Sequence, residues 1–248
     1  MKAEAVRFMR CAALELQNET GGHCKERPGP GDGPLTDVAQ VSSGDDRACA
    51  ALTTGQARCW GYTPGNGTTT PPSMEPVVVS NPENTGPLTD VVAVEAGVGV
   101  SCAVLGSGHG RCWGSGTGDG TTTTRVRPVA VQDTTTAPLD HIVSIHLEDG
   151  HSCLTLSTGQ ARCWGDNQFG EIGSPPPATG SWRPIVVNDP TDGGEMVDVA
   201  DITPGRMTTC ALRTSGHVRC WGVAAWHSLG NGTTRTRYVP TPVLAPLP

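Results

Sequence analysis

The sequence predicts an all-β protein of β-propeller architecture, and three observations carry that prediction. A segment of Cys, nine residues, then Cys-Trp-Gly occurs four times, at Cys49–Gly61, Cys102–Gly114, Cys153–Gly165 and Cys210–Gly222. Around each copy lie further short apolar runs, so every repeat offers four strands. The closing glycines Gly61, Gly114, Gly165 and Gly222 follow one another at intervals of 53, 51 and 57 residues. Four short strands in a unit of roughly 40–50 residues are the sequence signature of a propeller blade.

Each copy reads as a β-hairpin. Setting Cys49 opposite Cys59 puts Ala51 opposite Ala57 and leaves Thr53-Thr54-Gly55 as a three-residue loop. Such a loop ends in a left-handed residue, which glycine adopts without steric cost. Gly108, Gly159 and Gly216 fall at the same place. Directly opposed residues on antiparallel strands lie about 4.5–5.5 Å apart, within a disulfide's reach. The expected bridges are Cys49–Cys59, Cys102–Cys112, Cys153–Cys163 and Cys210–Cys220, with reduced thiols packed side by side as the alternative. Zinc fits poorly, because the ten-residue separation is not that of a zinc-ligand pair.

Taken in order, residues 1–33 are the least regular. Cys11-Ala-Ala-Leu echoes Cys49-Ala-Ala-Leu, and Cys24 is its expected partner in a degenerate first hairpin. A Pro/Gly linker follows. The repeats then span about 34–86, 87–137, 138–194 and 195–248. Pro34-Leu35-Thr36-Asp37-Val38 recurs as Pro87-Leu88-Thr89-Asp90-Val91 and opens a first strand. The hairpin supplies two more. After a polar loop, Pro76-Val-Val-Val79, Pro128-Val-Ala-Val131, Pro184-Ile-Val-Val187 and Pro242-Val-Leu244 mark the fourth.

Composition narrows the functional classes. The 248 residues carry a formal net charge of −7, which argues against a nucleic-acid partner. No apolar run is long enough for a membrane-spanning helix. Ten cysteines, eight in matched pairs, point to an oxidising compartment, extracellular or at a cell surface. The first ten residues lack the apolar core of a signal peptide. The expectation that reconciles these is an export signal upstream of Met1.

The segment Cys163-Trp-Gly-Asp-Asn-Gln-Phe-Gly-Glu-Ile-Gly173, together with His151 ahead of the Cys-x-Leu strand, resembles the regulator-of-chromosome-condensation repeat family. The resemblance covers about residues 34–245 and implies a seven-bladed propeller. The paired cysteines look like its bacterial exported branch. At the position of His151 the other units carry Arg47, Val100 and Thr208, and the full Asn-x-x-Gly loop occurs only at Asn167–Gly173. Seven blades of this size would need roughly 350 residues. The expected assembly is therefore four clear blades and the degenerate hairpin of an incomplete ring, with a closed five-bladed ring as the alternative. Open blade edges would favour self-association.

Motifs for chemistry are sparse. Gly114-Ser-Gly-Thr-Gly-Asp-Gly120 runs into threonines and a strand, whereas a phosphate loop leads into a helix. Asn66, Asp119 and Asn231 sit in Gly-Asx-Gly-Thr turns and lack the alternating ligands of a calcium loop. His141, His146 and His151 are five apart, so the middle one points away on a strand. No nucleophile motif, cofactor or metal set is expected. What breaks the repeat symmetry is Tyr62, Phe169, Trp182, Trp226, His227 and Tyr238, in or beside the loops. Exposed aromatics there are candidate binding residues. The expected function is non-catalytic binding of a protein or surface ligand. Guanine-nucleotide exchange on a small GTPase, implied by the family's nuclear founder, and an adhesive role within a larger surface protein are the alternatives.

Overall fold

Among the described residues, four antiparallel sheets of four strands follow one another along the chain, each in simple sequential order. The computed structural model describes residues 33–69, 71–133, 135–175, 179–191 and 193–245. The expected Cys11–Cys24 hairpin lies outside them. The first blade holds β1 (Val38–Ser43), β2 (Arg47–Leu52), β3 (Ala57–Gly61) and β4 (Ser73–Val78). The second holds β5 (Val91–Ala96), β6 (Val100–Leu105), β7 (Gly110–Gly114) and β8 (Arg125–Ala130). The third holds β9 (Ile142–Leu147), β10 (His151–Leu156), β11 (Ala161–Asp166) and β12 (Gly180–Val186). A small hairpin, β13 (Asn188–Asp189) with β14 (Gly194–Glu195), precedes the fourth blade. That blade holds β15 (Val199–Gly205), β16 (Thr208–Arg213), β17 (Val218–Gly222) and β18 (Arg237–Pro242).

The hairpin register is the expected one. Cys49 faces Cys59 and Ala51 faces Ala57. Leu52 N–H donates to Gln56 O at 2.8 Å, so alternation along the ladder places the cysteines at a non-hydrogen-bonded site, where opposed Cα atoms come closest. All four intra-hairpin disulfides are present, with Cα–Cα distances of 4.0–4.1 Å. The turn glycines Gly55, Gly108, Gly159 and Gly216 all have positive φ, between 76° and 83°. The fourth strands begin before their prolines: β4 starts at Ser73 rather than Pro76. Proline is tolerated there because the strand is outermost and its missing donor interrupts no inner ladder. Asn188–Glu195 was not expected to pair.

The cores lie between successive blades. Adjacent residues on a strand point to opposite faces, so Cys-Trp serves two interfaces at once. The cysteines of one blade face forward: Cys49 and Cys59 pack in one cluster with Trp113 of the second blade. Cys102 and Cys112 pack with Trp164 of the third, and Cys153 and Cys163 with Trp221 of the fourth. Trp113, Trp164 and Trp221 are fully buried. Trp164 Nε1 donates to Gly116 O and Trp221 Nε1 to Glu171 O, each at 2.8 Å, so each ring is pinned to the loop of the blade before it. Strands β2, β6 and β10 are buried at every residue. Only one face of β16 is covered: Thr209 and Ala211 are buried, while Leu212 is 42% exposed.

The first strands lie side by side and are joined through side chains. Val94 N–H donates to Gln40 Oε1 at 2.9 Å and Ala96 N–H to Ser42 Oγ at 3.0 Å. These bonds satisfy strand-edge donors that have no backbone partner.

His151 is the buried corner of the third blade. Its Nε2 lies 2.8 Å from Thr209 Oγ1, and Thr209 donates its one hydroxyl proton to Glu171 O at 2.8 Å. The hydroxyl must therefore accept from His151, which fixes the neutral tautomer with the proton on Nε2. Burial pushes the pKa of His151 down to about 4 from its ordinary 6.5. A depressed histidine leaves the native state with fewer protons than the unfolded chain between those values. Its contribution is thus intact above about pH 6.5 and is lost as pH falls toward 4, by about 3 kcal/mol at most. Denaturant midpoints measured from about pH 7 down to pH 4 should fall more steeply for the native chain than for His151→Gln. Parallel curves would exclude His151 as the group responsible.

Candidate functional site

The residues that break the repeat symmetry gather at one end of the blades. Tyr62, Phe169, Trp226 and His227 lie in the loops between third and fourth strands, and Trp182 and Tyr238 lie near the starts of β12 and β18. Tyr62, Phe169, Trp182, Trp226 and His227 are exposed, whereas Tyr238 is partly buried.

In the first, second and fourth blades these loops share one closure. Asn66 Oδ1 accepts from Thr68 N and Oγ1, Asp119 Oδ1 from Thr121 N and Oγ1, and Asn231 Oδ1 from Thr233 N and Oγ1. Burial works to raise the pKa of Asp119, but bonds from Thr121 and Arg125 outweigh it and hold the carboxyl below its ordinary value. Arg125 Nε donates to Asp119 Oδ2 at 2.7 Å, so both carboxylate oxygens are occupied by the protein's own donors. These are turn-forming side chains. Of the three spaced histidines, His151 is in the core, His146 Nε2 lies 3.3 Å from Asp201 Oδ1, and His141 is exposed with a φ of 66°. They do not converge.

The loops of the first three blades each reach the next blade. Gly67 N–H donates to Val126 O at 2.9 Å and Gly120 N–H to Trp182 O at 2.8 Å. In the third blade Gly170, with φ +89°, lies against Tyr238: a Cβ there would come within 2.5 Å of the Tyr238 Cα. This contact is why Tyr238 is partly covered.

The third and fourth blades carry four more residues in this loop than the first two, counted from Gly61 to Gly65, Gly114 to Gly118, Gly165 to Gly173 and Gly222 to Gly230. In the third blade the extra turn is tied down. Phe169 N–H donates to Glu171 Oε2 at 2.8 Å and Ile172 is buried. In the fourth, Ala225–Ser228 is exposed throughout. Trp226, at the position of Phe169, is 98% exposed. Trp226 and His227 both adopt left-handed backbone conformations, with φ of 55° and 60°. Such conformations cost a non-glycine residue of order 1–3 kcal/mol each and persist only where the surroundings impose them. Here buried Leu229 anchors the turn, and Ser228 Oγ donates to Val223 O at 2.8 Å. The tryptophan is held out on a shaped turn.

A second feature is a shallow groove of about 430 Å³ on the second blade, lined in part by Pro82, Glu83, Arg111, Arg125 and Arg127. It carries no recognised sequence motif. Its one sequence signal is Asn81, at a position where the next two connectors carry Asp133 and Asp189.

Comparison with known proteins agrees with the architecture. Residues 38–67 and 149–171 match the regulator of chromosome condensation (RCC1) repeat. Human WBSCR16 superposes with a TM-score of 0.67 at 20% identity, over 84% of this chain and 53% of that one. Yeast RCC1 (Prp20), in its structure bound to Kap60, gives a TM-score of 0.63 at 18% identity, over 84% and 49%. Prp20p from Saccharomyces cerevisiae, whose structure was reported together with its binding properties to Gsp1p and histones, gives 0.63 at 18%, over 84% and 50%. The chain thus spans about half the length of each of these proteins.

Proposed function

We propose that this chain of regulator-of-chromosome-condensation repeats is a non-catalytic binding module, exported or held at a cell surface, that engages a protein through the loop end of its blades. The observation that carries the reading is Trp226. A tryptophan this exposed, on a turn whose left-handed residues are held by a buried leucine, loses little freedom on binding and offers a large apolar contact. Phe169, Trp182 and Tyr62 extend apolar surface at the same end of the blades. The four disulfides support the compartment. Among the described residues no helix is long and apolar enough to cross a membrane.

Affinity capture from a cell-surface extract tests the reading. The native chain is expected to retain a protein that Trp226→Ala loses at unchanged melting temperature. Equal retention by both would overturn it. Exchange-factor activity is the competing reading, supported by the fold shared with yeast RCC1. Acceleration of nucleotide release from a small GTPase would favour that reading over ours.

A further inference from the structure

Arg111, Arg162 and Arg219 occupy the same place in successive hairpins, one residue before the second cysteine. The connector from the preceding blade places an Asx residue at a fixed point, two after a buried valine: Asn81 after Val79, Asp133 after Val131, Asp189 after Val187. In the fourth blade the two charges meet. Arg219 Nε donates to buried Asp189 Oδ2 at 2.8 Å. In the third blade Asp133 is held below its ordinary pKa first by its bond from Thr135, and also by the charge of Arg162. The second blade departs from this pattern. Asn81 carries no charge, and its amide is turned to Thr85: Nδ2 donates to Thr85 Oγ1 and Oδ1 accepts from Thr85 N, each at 2.9 Å.

Arg111 therefore lacks the carboxylate that the repeat supplies to Arg219. It faces the groove of about 430 Å³, and Arg127 from β8 lines the same groove. The Arg127 Nε is buried and has no hydrogen-bond partner. Among the described residues neither Arg111 nor Arg127 lies within ion-pair distance of a carboxylate. Arg125, in the same lining, is already held by Asp119. Glu83 also lines the groove, is exposed, and contributes one negative charge against the two unpaired arginines.

We propose that this groove is an anion site that takes the carboxylate side chains of an extended acidic peptide lying along the outer edge of β8. Charge complementarity names the occupant. The chain as a whole is at −7 and repels an acidic peptide, so two uncompensated arginines in one groove select where it can settle. Guanidinium forks pair with carboxylates through two parallel hydrogen bonds. The strand edge favours an extended chain over a small ion. Val131 N–H bonds inward to Gly110 O at 3.1 Å, so by alternation the N–H and C=O of Ala130 face outward. Pro128 offers no donor, and Val126 O is taken by Gly67, which limits backbone pairing and leaves the carboxylates to provide the rest.

The test is fluorescence anisotropy with a labelled hexaglutamate peptide at low salt, with hexaglutamine as the neutral control and inorganic phosphate as competitor. Hexaglutamate is expected to bind and hexaglutamine not. Arg111→Gln and Arg127→Gln should each weaken binding by about tenfold or more, the scale of a lost charge-assisted pair. Asn81→Asp should weaken it as much without lowering the melting temperature, because it gives Arg111 an internal carboxylate as Asp189 gives Arg219. Native-like binding by Asn81→Asp and Arg111→Gln would overturn the site. So would equal binding of hexaglutamine. Full displacement by equimolar phosphate would overturn the peptide and leave a small-anion site. The readout does not pass through Trp226, so it stands or fails apart from the loop-end reading.

Discussion

Replacing Gly159 by valine is expected to destabilise the chain by about 3 kcal/mol or more, while Gln160→Val, one residue away, costs about 1 kcal/mol. Gly159 has a φ of +79°, which a β-branched residue resists. The site is also closed by the next blade: a Cβ on Gly159 would lie 2.2 Å from Val197 O and 3.0 Å from Val197 C. Both are backbone atoms of the connector into the fourth blade, so they cannot rotate aside. Val199 N–H donates to Gly159 O at 3.0 Å, tying the turn to that connector. Gln160 loses less. Its Oε1 accepts from Arg162 Nε at 2.8 Å, and its Nε2 donates to Glu195 at an exposed site. Thermal or denaturant melts of the two variants check this. Equal losses would mean that neither the turn nor its contact with the fourth blade is as described.

Reduction of the four disulfides is expected to unfold the chain at moderate temperature. Each bridge closes a loop of ten residues, worth about 2–3 kcal/mol on the chain-entropy account, and domains are stable by only about 5–15 kcal/mol. The bridges should not open together. Cys49, Cys59, Cys102, Cys112, Cys153 and Cys163 are at most 1% exposed, sealed by the tryptophan of the following blade. Cys210 is only partly buried, so an attacking thiolate reaches Cys210–Cys220 first. Timed alkylation under mild reductant, followed by peptide mapping, should label Cys210 and Cys220 before the rest. Pairs recovered across repeats would show the register to be wrong, and a melting temperature indifferent to reductant would show the bridges to be inessential.

Much of the fold was legible because its governing contacts are local. A cysteine, a glycine six residues on and a second cysteine four beyond that fix a hairpin by loop length and φ alone. The start of β4 was less legible, because proline reads as the beginning of a strand until one sees that the strand is outermost. The β13–β14 pair was hidden for a similar reason: two residues on each side carry no periodicity.

The candidate sites were legible in part. Trp226 and Phe169 stand out in the sequence as aromatics that break the repeat symmetry, but sequence treats them alike. The structure separates Phe169, whose turn lies against Tyr238 at Gly170, from Trp226, whose turn is exposed throughout. Arg111 was invisible as a site because it recurs in every repeat. Its difference lies in Asn81, thirty residues earlier, and matters only once the Pro82 and Glu83 that follow it are seen to line one groove with Arg111.

The sequence by itself determined the strand count of each blade, the hairpin register, the four disulfide pairings and the turn glycines. The last three rest on separations of about ten residues or fewer, within which covalent geometry and allowed φ leave few alternatives, and the strand count rests on the repeat period. Tertiary structure decided which blade each face meets. It turned the cysteines forward onto the next tryptophan and sent Trp164 Nε1 back to Gly116 O. Those contacts join residues 48–62 positions apart, Trp164 with Gly116, Cys112 and Cys102. Their outcome depends on what the neighbouring repeat presents, which no single repeat encodes.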